Sequence, residues 1–114
     1  MVRVTSALWV GAYIRRCFGA GSVAMVLRHG ADEAGAILVV IDWLDGTVDL
    51  YGPAPQSAFT ETRPSDRLFH RWLERSDRPA VQKRIDSELR FDPDIWIVEI
   101  EDKAGRAFLD LAGD

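Results

Sequence analysis

Residues 36–41, Ala-Ile-Leu-Val-Val-Ile, are the most apolar stretch of the chain, and an Asp45-Gly46 pair follows shortly after them. β-Branched side chains suit a pleated, buried surface. Glycine takes positive φ without steric cost and aspartate tolerates it, so Asp-Gly between apolar runs marks a tight hairpin turn. The combination predicts a central strand over 36–41, a turn at Asp45-Gly46, and an antiparallel return over 47–51 with Val48 and Leu50 pointing inward. One face of this hairpin is expected to meet water.

The remaining elements are read around that hairpin. Ala7, Val10, Ile14 and Cys17 recur at spacings of three and four, which predicts a helix over 7–18. Thr5 or Ser6 caps it, Gly19 and Gly21 stop it, and Gly11 weakens it. Val23, Met25, Val26 and Leu27 occupy both parities, as in a strand covered on both faces. Gly52-Pro53-Ala54-Pro55 ends the return strand, and the polar stretch through Ser65 reads as a long surface loop. Residues 67–75 are ambiguous, because Leu68, Phe69, Trp72 and Leu73 make a helical stripe. They are read as a strand, since the hairpin before them leaves an edge to be paired.

Ser76 or Asp77 caps a second helix with Pro79 in its first turn and Val81, Ile85 and Leu89 on one face. Asp92-Pro93-Asp94 breaks it. Residues 95–101 form a strand with Trp96, Val98 and Ile100 on one face, 102–105 turn, and 106–110 return as the second arm of a closing hairpin. The order is α-β-β-β-(β)-α-β-β. The fold class expected is α+β, a mainly antiparallel sheet with two helices, in a single domain spanning residues 1–114.

Composition narrows the function classes. With 47% hydrophobic and 28% charged residues the chain can bury a core, which excludes a disordered segment. A formal charge of −4 disfavours phosphate backbones and anionic membranes, so no nucleic acid or membrane partner is expected. The lone Cys17 cannot form an internal disulfide, and no stretch is long enough to span a bilayer. The expected location is the cytoplasm.

Two groups of residues stand out. Arg28, His29, Asp32 and Glu33 share one loop with Gly30 and Gly35. There His29 could act as a general base if a carboxylate oriented it, and Arg28 could neutralise a phosphate or carboxylate. A connection between strands needs glycine and polar residues in any case, and neither a phosphate loop nor a dinucleotide motif is present. Trp9, Tyr13 and Arg16 follow at spacings of four and three on a second face of the first helix. These are residue types enriched in interface hot spots, although they also pack under loops or on strand ends.

Cys17 on the apolar stripe reads as a small core hydrophobe rather than a nucleophile. The carboxylates and histidines lack metal-ligand spacing, and Asp92 and Asp94 read as turn residues. Glu99, Glu101 and Asp102 beside Arg106, and the basic residues Arg67, Arg71, Arg75, Arg78, Lys83 and Arg84, read as solvated faces. No catalytic residue, metal or cofactor is assigned.

Trp9, Ala12, Ile14, Arg15 and Arg16, then Arg28 and Gly30 leading to Ala34-Gly35-Ala36-Ile37, and Tyr51-Gly52-Pro53, form a recurring pattern. So do Leu89-Arg90-Phe91-Asp92-Pro93-Asp94-Ile95-Trp96 and Glu99-Ile100-Glu101-Asp102. Along most of its length the chain resembles the domain of unknown function 1491 family, found mainly in alphaproteobacteria. The resemblance implies a compact bacterial cytosolic protein and lends no activity, cofactor or catalytic residue.

The leading expectation is a small interaction or regulatory module without catalysis, meeting a protein partner or forming a homodimer. Its contact would be the Trp9, Tyr13 and Arg16 face or an exposed sheet edge. The alternative is a small-ligand-binding protein or enzyme using Arg28, His29, Asp32 and Glu33.

Overall fold

The computed structural model describes residues 4–55 and 67–112. Along the chain it places α1 (Ser6–Gly19), β1 (Val23–Arg28), β2 (Ile37–Asp42), β3 (Val48–Pro53), β4 (Phe69–Ser76), α2 (Arg78–Phe91) and β5 (Trp96–Glu101). The strands form one sheet in the order β1-β5-β2-β3-β4. β5 runs parallel to β2, and the other pairs are antiparallel. The class is α+β, as the sequence predicts.

The Asp45-Gly46 hairpin forms where expected. Gly46 adopts φ +93, the Trp43 amide donates to the Thr47 carbonyl, and the Thr47 amide donates to Asp45 Oδ1 at 2.9 Å. β2 lies third of five, so its alternate side chains serve two cores. Ile37, Val39 and Ile41 pack with Val10, Tyr13 and Cys17 of α1, while Leu38 and Val40 pack with Val81 and Ile85 of α2. Each such side chain taken fully out of water contributes about 1.5–3 kcal/mol. Both faces of the hairpin are therefore covered, contrary to the expected wet face; α2 fills that side.

Local signals set the helix ends. The Thr5 hydroxyl accepts from the Leu8 amide, Asp77 accepts from the Ala80 amide, and Pro79 sits in the first turn of α2. The buried centre of α1 is Val10, Tyr13 and Cys17, with Ile14 only partly buried.

Three further expectations change. β1, read as covered on both faces, is an edge strand in which only Ala24 is buried. β3 continues through Gly52 and Pro53, whose partners are His70 and Phe69. Among the described residues no return strand follows β5, because β1 and β2 already occupy both its sides. The chain after Asp102 instead crosses the α1 side of the sheet and touches β4 in one parallel bridge, Phe69 to Leu111. The 67–75 segment does form a strand. The expected long loop lies mostly at 56–66, outside the described residues.

Candidate functional site

The loop between β1 and β2 is fixed from below by the chain entering β5. A Cβ on Gly30 would sit 2.3 Å from the Asp94 carbonyl oxygen, and one on Gly35 2.4 Å from the same atom, so only glycine fits at either place. Trp96 Nε1 donates to the Ala31 carbonyl at 2.8 Å, and Arg28 donates to the Pro93 carbonyl at 2.7 Å. On this base His29 Nε2 meets Asp32 Oδ1 at 2.8 Å, with the imidazole 4.0 Å from the Trp96 ring centroid.

A carboxylate thus orients the imidazole, as the sequence reading required. Both side chains are about two-thirds or more exposed, at 67% and 73%, so water screens the pair. The carbonyls of Asp32 and Glu33 accept from the Ala7 and Ser6 amides, and the buried Ser6 hydroxyl donates to the Gly35 carbonyl. The loop thereby caps α1.

Trp9, Tyr13 and Arg16 are not a separate outer face as expected. Tyr13 is buried in one core with Val10 and Cys17, Trp9 packs against that core, and the chain's own C-terminal segment meets Tyr13 and Arg16. Trp9 stacks on Tyr13 at 4.9 Å and leans on Phe69 at 5.4 Å. Tyr13 Oη donates to the Ala107 carbonyl at 2.5 Å, and Arg16 donates to the Phe108 carbonyl at 3.2 Å. Burial pushes the Tyr13 hydroxyl far above its ordinary range. Cys17 is fully buried, which raises its thiol as well and suits the core role read from sequence.

Two polar clusters correct the reading of Glu99, Asp102, Arg78 and Arg106 as solvated faces, since Glu99 and Asp102 are buried and paired with the two arginines. In the first, Arg78 at the start of α2 bridges Glu99 at 2.9 Å and Asp42 at 3.1 Å, over the end of the sheet. Glu99 is buried, and its hydrogen bond to Arg78 raises the guanidinium above its usual range. Glu101 stands beside them, with one carboxylate oxygen from each of the three acids within 4.8 Å of the others. Arg78 already neutralises part of that charge, so a cation would have to compete with it.

In the second, Asp102 accepts from the Ser22 hydroxyl at 2.7 Å and from Arg106 through both backbone and guanidinium. Arg106, then burial partly opposing it, leaves the Asp102 carboxyl well below the usual carboxylate range. Arg106 lies four residues from Asp102, but Arg78–Glu99, Arg78–Asp42 and Ser22–Asp102 join residues 21, 36 and 80 apart, which spacing rules do not connect.

The edges of the sheet complete the inventory. β4 borders a cavity of about 570 Å³ lined by Phe69, His70, Arg71, Trp72, Glu74, Leu111 and Ala112. On β1 the relative exposures are 45% for Val23, 36% for Met25, 41% for Val26 and 53% for Leu27, and among the described residues β1 pairs with β5 alone. Reading β1 as a doubly covered strand hid this surface, since an apolar run looks the same in the middle of a sheet and at its margin.

Residues 4–110 match the family model described as protein of unknown function (DUF1491). The chain belongs to the DUF1491 family. It is 38% identical to a protein from A. tumefaciens whose solution structure covers 99% of this chain and 98% of that one, with a TM-score of 0.83. It is 33% identical to a DUF1491 protein from Caulobacter crescentus CB15 known from a crystal structure, covering 99% and 100% of the two chains with a TM-score of 0.79. An NMR structure of a DUF1491 protein from the same organism covers both chains fully at 34% identity and a TM-score of 0.77. No curated protein matches the chain. The DUF1491 descriptions carry no activity, ligand or partner. No helix among the described residues is long and apolar enough to cross a membrane.

Proposed function

We propose that this DUF1491 protein is a small bacterial cytoplasmic interaction module that works without catalysis and makes its contact through β1. The observation carrying this reading is the four apolar side chains exposed along an edge strand with no charge between Val23 and Leu27. A paired or covered edge is the usual state of a stable β protein, and an open apolar one invites another strand. The relatives from A. tumefaciens and C. crescentus support a bacterial origin, and a single buried thiol suits a reducing compartment.

A photo-crosslinking residue placed at Met25, with Gln82 on the outer side of α2 as control, tests the reading in the native cytosol. Adducts from position 25 and none from 82 are expected. A β1 position that yields no adduct contradicts it.

A second reading rests on the His29–Asp32 pair held against Trp96, which would suit a small anionic or polar ligand reached by Arg28. A thermal-shift screen with metabolites, nucleotides and divalent metals tests it. A ligand at about 100 times its Kd stabilises by about 2.7 kcal/mol, a shift that His29→Ala should abolish. A screen in which nothing moves the melting point removes this reading.

A further inference from the structure

We infer that the partner of β1 is a second copy of the same chain, joined by antiparallel β1–β1 pairing about a two-fold axis near Met25. The inference rests on β1 being the contact surface, and it adds who fills it. A two-fold axis perpendicular to the sheet preserves the faces, so each side chain meets one from the same side of the partner. Centred on Met25, this arrangement sets the uncharged residues Val23 to Leu27 against themselves and brings no like charges together.

The ends of β1 supply charge complementarity. Arg28 is the only charge on β1 and stands at its C-terminal end, opposite Ile97 on the α2 side of the sheet. At the other end Val23 pairs with Glu101, which lies on that same side, two residues after Glu99. Asp42, Glu99 and Glu101 gather three carboxylates there, and Arg78 bridges only the first two.

Two-fold pairing carries each copy's Arg28 to the partner's Val23 end. There it lies about two strand spacings, ~10 Å, from the partner's Glu101. Extended arginine and glutamate side chains together cover that distance. Arg28 gives one N–H to the Pro93 carbonyl and keeps others to donate. A symmetric pair of such contacts flanking an apolar centre fits a second copy, because the same strand supplies both halves.

Sedimentation of the full chain from low to high micromolar concentration is the test. The wild type should move from monomer to dimer. Val26→Lys should weaken association at least tenfold, and circular dichroism should show it folded. Arg28→Glu and Glu101→Arg should each weaken it, and the double variant should recover most of the loss, a pattern that only a contact between copies produces.

A strict monomer across the range overturns the proposal, as does a double variant no better than the singles. If the chain is monomeric yet position 25 crosslinks to a different protein, β1 remains the contact surface and only the second copy is ruled out. Absence of both fells both.

Discussion

β4 and β1 end the same sheet, yet only β4 is defended. β4 carries Arg71, Glu74 and Arg75, and its register with β3 shifts twice. Its first residue is capped by the chain itself: the Phe69 amide donates to the Asp110 carbonyl and the Ala112 amide to the Phe69 carbonyl. Charges, bulges and a covering segment are the ways natural sheets block edge pairing. β1 has one irregularity, near Arg28, and four exposed apolar residues before it. The difference between a guarded and an open apolar edge is what supports the proposed contact at β1.

The comparison breaks first at Phe69. This side chain is buried among Trp9, Tyr13 and the 107–109 segment, so Phe69→Ala should cost about 3–5 kcal/mol. It should also raise amide exchange at Ala112, exposing β4 as β1 is exposed. Chemical denaturation and hydrogen exchange measure the two effects.

Asp102 anchors the point where the C-terminal segment leaves β5. Its charged hydrogen bonds to Arg106 and Ser22 make Asp102→Asn cost about 2 kcal/mol at neutral pH. The folded carboxyl titrates below its unfolded value near ~3.9. Its stabilising contribution is therefore complete above that pH and is lost as pH falls toward the folded value. A plot of stability against pH should fall on the acid side for the wild type and flatten for the asparagine variant.

Tyr13→Phe removes one bond to the Ala107 carbonyl and should cost about 1–1.5 kcal/mol, with faster exchange confined to the segment after Asp102. Smallest of all, Val26→Lys should change monomer stability by within about 0.5 kcal/mol, because Val26 is an exposed edge residue that belongs to neither buried core. A large destabilisation there would mean that β1 is part of the core.

Local chemistry made much of the fold legible. Asp45-Gly46, Thr5, Asp77 and Pro79 fix a turn and two helix starts through contacts a few residues apart, and each forms as read. Strand order is another matter. The insertion of β5 between β1 and β2 decides that β1 is an edge and that residues 106–110 find no strand to pair with, and nothing near those residues encodes it.

The candidate sites divide in the same way. His29 and Asp32 lie three positions apart and meet within one loop, whereas Arg78 finds Glu99 only through the packing of α2 on the sheet. Tyr13 and Arg16 carried an interface signal in sequence, and folding places the chain's own C-terminal segment against them.

Residue-resolved amide exchange at two protein concentrations tests the claim that β1 is a contact surface most directly. The amides of Val23, Ala24, Met25 and Val26 that point away from β5 should gain protection as concentration rises, while the outward amides of β4 stay unchanged. Protection on β1 that is indifferent to concentration, or that grows on β4 instead, would contradict the account.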